Sequence, residues 1–95
     1  MTGFTTVIPP HIAEVIRHLP PDVKRSVKQA IRALNTDPRC GEPLRRELEG
    51  YWKYRVRRFR IVYSIDQSHR KVRIFAVGHR RSVYEAAAAQ LQRPA

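Results

Sequence analysis

Residues 51–63 read YWKYRVRRFRIVY, with Lys53, Arg55, Arg57, Arg58 and Arg60 set among Tyr51, Trp52, Tyr54, Phe59 and Tyr63. Arginine forks grip phosphate oxygens in pairs, and several together give an affinity that falls steeply with salt. The rings in the same stretch offer faces on which bases can stack. These residue types can also serve metal-free cleavage of RNA. That reaction needs a base for the 2′-hydroxyl, cations for the charge on the phosphorane, and help for the departing 5′-oxygen. A lysine crowded by cations is driven towards its neutral form, each neighbour about 6–7 Å away contributing roughly 2–3 kcal/mol at an effective dielectric of 20. Lys53, flanked by arginines, is therefore the candidate base, although bound phosphates offset part of that push.

Three readings fit such a stretch: a solvated strand face, a polyanion-binding face, and a phosphodiester-cleaving site. Unpaired like charges on neighbouring strands destabilise a sheet. A face built only for solubility would mix in carboxylates, and residues 51–63 contain none. Alternation sends Trp52, Tyr54 and Val56 one way and Lys53, Arg55 and Arg57 the other. On the next strand Phe59, Ile61, Tyr63 and Ile65 share a face opposite Arg60, Val62 and Ser64. Most of the aromatics thus fall on the core side, leaving Tyr51 and Tyr84 as the rings placed to meet RNA.

The charge of the chain supports a localised site. The formal net charge is +11, yet residues 1–50 carry eight Lys/Arg against six Asp/Glu while residues 51–84 carry ten against Asp66 alone. Such an excess biases partners towards polyanions. Cys40 stands alone and His11, His18, His69 and His79 are scattered, so neither a disulfide nor a metal site is expected. No apolar run resembles a leader or a membrane span, and a cytoplasmic location is the default expectation.

The elements that position these residues follow from period and punctuation. Phe4 to Ile8 reads as an opening strand. Ile12, Val15, Ile16 and Leu19 give one amphipathic helix, and Val23, Val27, Ala30, Ile31 and Leu34 a second, divided by Pro20-Pro21 into an antiparallel hairpin. Residues 37–50 read as a loop with one helical turn at most. From residue 51 the period becomes 2, through two strands joined at Arg57-Arg58. A turn at 66–70 leads to a third strand, Lys71 to Val77, with Val72, Ile74 and Ala76 on one side. Ser82 is a candidate cap for a last helix over Val83 to Leu91, and Arg93-Pro94-Ala95 a fraying tail. The order β-α-α-β-β-β-α argues a single α+β domain over residues 1–95, with a mainly antiparallel sheet and the helical hairpin on its apolar face. The basic side chains then occupy the other face.

LEGYWKYRVRRFRIVYSID followed by VRIFAVGHRRSVYE resembles the RelE/ParE superfamily of bacterial type II toxins, and the likeness covers nearly the whole chain. It implies a RelE-like fold and a toxin that either cleaves mRNA in the ribosome or inhibits DNA gyrase. Position by position it implies Lys53 as general base, Arg55 and Arg60 as phosphate clamp, Arg80 as transition-state or leaving-group stabiliser, and Tyr84 as the ring that orients or stacks on the mRNA base. Because all of these positions carry compatible chemistry, the resemblance favours a metal-independent, ribosome-dependent endoribonuclease that uses no cofactor. Arg57, Arg58, Arg73, His79 and Arg81 are the expected further contacts to RNA or the ribosome, His79 also being weighed as an acid or base. The implied partners are a cognate antitoxin in a hetero-oligomer, the ribosome and mRNA, with no membrane. A ParE-like gyrase inhibitor and a non-catalytic RNA-binding module are the alternatives.

Overall fold

Paired prolines set the first half of the chain. In the computed structural model, which describes residues 3–92, strand β1 (Thr5–Val7) runs into Pro9, and helix α1 occupies Pro10–Arg17. Helix α2 (Pro21–Thr36) also begins on proline, whose missing N–H and fixed φ suit the first helical position. Val23, Val27, Ala30 and Leu34 form its buried stripe. On α1 only Ile12 and Ile16 are buried; Val15, expected in that stripe, remains 40% exposed. Asp37 leaves the helix in extended conformation and starts a short 3-10 turn at Pro38–Cys40. The expected tail at 93–95 lies outside the described residues.

The sheet has five strands in the order β1-β5-β4-β3-β2, with β1 parallel to β5 and the other pairs antiparallel. Strands β3 (Trp52–Val56), β4 (Phe59–Asp66) and β5 (Lys71–His79) are the three read from alternation. Strand β2 (Glu42–Pro43) was not foreseen, because two residues that include a proline show no alternation. It pairs with Trp52 and Lys53 at the sheet margin, where proline is tolerated. Gly41 permits this approach: a Cβ there would overlap the Lys53 carbonyl and the Tyr63 hydroxyl.

Both faces of the sheet are packed, and this corrects the expectation of a wholly basic second face. The face under α1 and α2 holds Phe4, Val56, Ile61, Tyr63, Val72, Ile74 and Val77, with Trp52, Tyr54, Phe59 and Ile65 at its margins. The other face carries a smaller cluster in which Val62, Ala76 and Leu48 meet Val83 and Ala87 of helix α3 (Val83–Leu91). A bulge explains the phase. Val62 pairs with Ala76 but Tyr63 pairs with Ile74, so Phe75 is an extra residue. From there Val77 takes the inward place that simple alternation gave to Ala76. Ser82 precedes α3 without capping it through its side chain.

Candidate functional site

Register brings the cations of β3 and β4 onto one surface. Lys53 lies opposite Val62, and Arg55 lies opposite Arg60, which faces Gly78 on β5. Directly opposed residues of an antiparallel pair share a face. Lys53, Arg55 and Arg60 therefore stand together on the α3 side, with Lys53 and Arg60 as diagonal neighbours about 7–8 Å apart at their backbones. Among the described residues none of the three makes an ion pair with a carboxylate. Arg60 is instead held by main chain, Nη1 donating to the carbonyls of Arg57 at 3.0 Å and Phe59 at 2.7 Å.

Two further predicted residues reach this surface from elsewhere in the chain. Tyr84, in the first turn of α3, is half-buried, and the Lys53 ammonium lies 5.9 Å from its ring centroid. A cation over a ring face is attracted by the ring's quadrupole. Arg80 follows β5 directly, and its N–H donates to the Arg58 carbonyl at 2.7 Å. This fastens the end of β5 to the β3–β4 turn and sets Arg80 beside Arg58, both exposed. Arg81 is exposed next to them, its N–H donating to His79 Nδ1 at 3.3 Å.

Other predicted contacts are placed apart. Arg57 lies beyond the end of β3 with φ 55°, the left-handed backbone that tight hairpin turns require, so it does not continue the alternation of Lys53 and Arg55. Its guanidinium instead pairs with Asp22 of α2 at 3.1 Å. His79 lies opposite Phe59, so it faces the helical hairpin rather than the cations, with the two rings 5.9 Å apart. Arg73 sits towards the far end of β5, opposite Ser64, and pairs with Asp66 at 3.0 Å. That bond, with the His69 N–H and the Ser68 hydroxyl, holds the Asp66 carboxyl well below the usual carboxylate range. Tyr51 packs on Phe75 with ring centroids 4.7 Å apart, which makes it part of the second cluster rather than a free stacking face.

One acid that the sequence did not place enters the neighbourhood. Glu42 lies opposite Lys53 across β2 and β3, and only the pairing of that unforeseen strand reveals it. Cys40 stays outside the site, partial burial and then Asp37 pushing its thiol up and away from the reactive thiolate. Among the described residues no group of three or more His, Cys, Asp or Glu could hold a metal ion, and no helix is long and apolar enough to cross a membrane.

The assembled surface can grip phosphate through Arg55 and Arg60, offer an amine beside the clamp, and present a ring next to that amine. Comparison with known proteins bears on how it is used. A family model described as the ParE toxin of type II toxin–antitoxin systems matches residues 11–84. The toxin RelG of Mycobacterium tuberculosis is 39% identical over 71 residues, covering 73% of this chain and 82% of that protein. The toxin–antitoxin complex RelBE2 of the same organism contains a chain with 35% identity and TM-score 0.75, covering 84% of this chain and 94% of that one. A mutant of the Escherichia coli toxin RelE in the free state shares the fold, with TM-score 0.76 at 20% identity over 98% of this chain and all of that one.

Proposed function

Because the chain belongs to the RelE/ParE superfamily of type II toxin–antitoxin toxins, we propose that it is a ribosome-dependent mRNA endonuclease of the RelE-like branch. The observation that carries this reading is the row of Lys53, Arg55 and Arg60 on one sheet face, free of carboxylate ion pairs and joined by Tyr84 and Arg80. In the proposed reaction the Lys53 amine takes the 2′-hydroxyl proton as the 2′-oxygen attacks phosphorus. Arg55 and Arg60 hold the non-bridging oxygens while charge builds on them. Arg80 stabilises the departing 5′-oxygen, which takes its proton from water, since a guanidinium does not release one near neutral pH. A 2′,3′-cyclic phosphate and a 5′-hydroxyl result. Tyr84 orients the base beside the scissile bond, and the ribosome presents the strand.

The partner proposed for regulation is an antitoxin, as in the toxin–antitoxin complexes among the structural relatives. Charge complementarity requires it to bring acidic and apolar residues to a chain of net charge +11 in the cytoplasm. The matching family model bears the ParE name, which favours one alternative, inhibition of DNA gyrase by protein binding. Expression of the chain with parallel mapping of mRNA 5′ ends and assay of gyrase supercoiling separates the two. New 5′ ends in translated messages, abolished by Arg80→Ala, are the expected result. Supercoiling defects without new ends would overturn it.

A further inference from the structure

Helix α2 carries a second basic surface that the proposed cleavage chemistry does not use. Arg25, Lys28 and Arg32 are exposed and Lys24 is half-buried. At 3.6 residues per turn, Arg25, Lys28 and Arg32 lie opposite the buried stripe of Val23, Val27, Ala30 and Leu34. A charged outer face is ordinary for a surface helix, but this one has a single sign. Lys24 with Lys28, and Lys28 with Arg32, are like-charge pairs at i, i+4, a spacing that weakens a helix. Lys24 and Arg25 also lie in the half of the helix that leads from the positive end of its dipole. The acid of the first turn, Asp22, is engaged with Arg57 across the fold. Helix α1 handles its own cation in the usual way, pairing Arg17 with Glu14.

We propose that this stripe is a second RNA-binding surface, which grips the phosphodiester backbone of a structured RNA while the opposite side of the protein holds the strand to be cut. The inference rests on the ribosome reading above and adds to it where a second RNA segment docks. Helix α2 packs on the sheet face away from Lys53, Arg55 and Arg60. A helix about 10–12 Å in diameter, and the sheet itself, separate the two surfaces. A short extended strand in the site does not reach the stripe. Arg25 to Arg32 spans about 10 Å along the axis, a straight rod of charge suited to a stiff backbone. The stripe has no exposed apolar residue, and protein partners rely on apolar or aromatic anchors that a polyanion does not need.

The test measures sedimentation of the full chain with purified 70S ribosomes from 50 to 200 mM KCl. Wild type is compared with Arg25→Gln/Lys28→Gln/Arg32→Gln and with a control of equal net charge, Arg17→Gln/Arg39→Gln/Arg70→Gln. Losing three phosphate contacts lowers the slope of log affinity against log salt by about 2.7, a difference of about 40-fold across that range. The stripe variant is expected to lose this dependence and the control to keep it. Binding of a single-stranded oligouridylate is expected to be unchanged by the stripe variant. Thermal melts that leave all three proteins folded exclude a trivial loss. Equal losses in both variants, or none in either, would overturn the inference. So would intact ribosome binding combined with loss of an acidic antitoxin, which would make the stripe a protein interface. Failure of wild type to bind ribosomes at all would instead remove the proposed function, and the stripe's role with it.

Discussion

Arg55→Gln should make the protein more stable and less able to hold RNA, and the size of the gain can be worked out. Arg55 and Arg60 are directly opposed across β3 and β4, with no carboxylate ion-paired to either among the described residues. Charges about 6–7 Å apart repel by about 0.6–0.7 kcal/mol in water and by about 2.5 kcal/mol at a dielectric of 20. Arg55 is exposed, so the value belongs near the lower end, in line with the roughly 0.2–1 kcal/mol typical of cross-strand pairs. A relief of about 0.7 kcal/mol corresponds to a rise in Tm of about 3–6 °C for a chain of this size. The measurement is urea unfolding of wild type and variant in low salt and again in 1 M KCl, where the Debye length is about 3 Å. The gain should be present in low salt and absent in high salt. In parallel, the salt slope of RNA binding should fall by about 0.7–0.9, one phosphate contact's worth. A variant that is no more stable in low salt, or whose gain persists in 1 M KCl, would refute the argument that this pair stores repulsion for use on phosphate.

Two further outcomes follow from the frame that holds the site. The buried Tyr63 hydroxyl donates to the Pro38 carbonyl at 2.6 Å, so Tyr63→Phe should cost about 1–3 kcal/mol at pH 7 in urea unfolding. Burial raises the Tyr63 phenol above its usual value of 10. Above pH 10 the unfolded chain therefore releases a proton that the folded chain keeps, and wild-type stability falls by up to about 1.4 kcal/mol per pH unit. The phenylalanine variant lacks that term, so the gap between the two should narrow as pH rises past 10; a constant gap would count against the assignment. Arg46 has φ 58° without a side-chain hydrogen bond or ion pair among the described residues, and Arg46→Gly should remove about 1–2 kcal/mol of backbone strain, partly offset by chain entropy in the unfolded state. A lower midpoint in urea for that variant would show the strain argument to be wrong.

Much of the architecture was legible in the sequence because the relevant signals are local. The shift from a 3.6 to a 2 period at residue 51 located the three long strands, and Pro20-Pro21 located the start of α2. The same alternation grouped Lys53 with Arg55 and set Arg60 apart from the apolar side of its own strand. What remained hidden depends on contacts distant in sequence or on one-residue changes of phase. Phase is lost at Arg57, where the turn diverts a side chain that alternation placed beside Arg55 towards Asp22. It is lost again at Phe75, where the bulge turns Ala76 towards α3. No spacing rule carries Tyr84 to Lys53, since that meeting depends on α3 folding back over Val62 and Ala76. Glu42 was missed for a comparable reason, its strand being too short to declare itself before it pairs.

The bond from the Arg80 N–H to the Arg58 carbonyl limits how this sequence can drift. A side chain at position 58 can change freely as far as that bond is concerned, because only its main chain is used. An inserted or deleted residue between Val56 and Phe59 cannot be absorbed in the same way, because it would shift the carbonyl and release the end of β5 from its anchor. Length changes should therefore accumulate in the segment from Leu44 to Gly50, and the two-residue turn should keep its length while its letters vary.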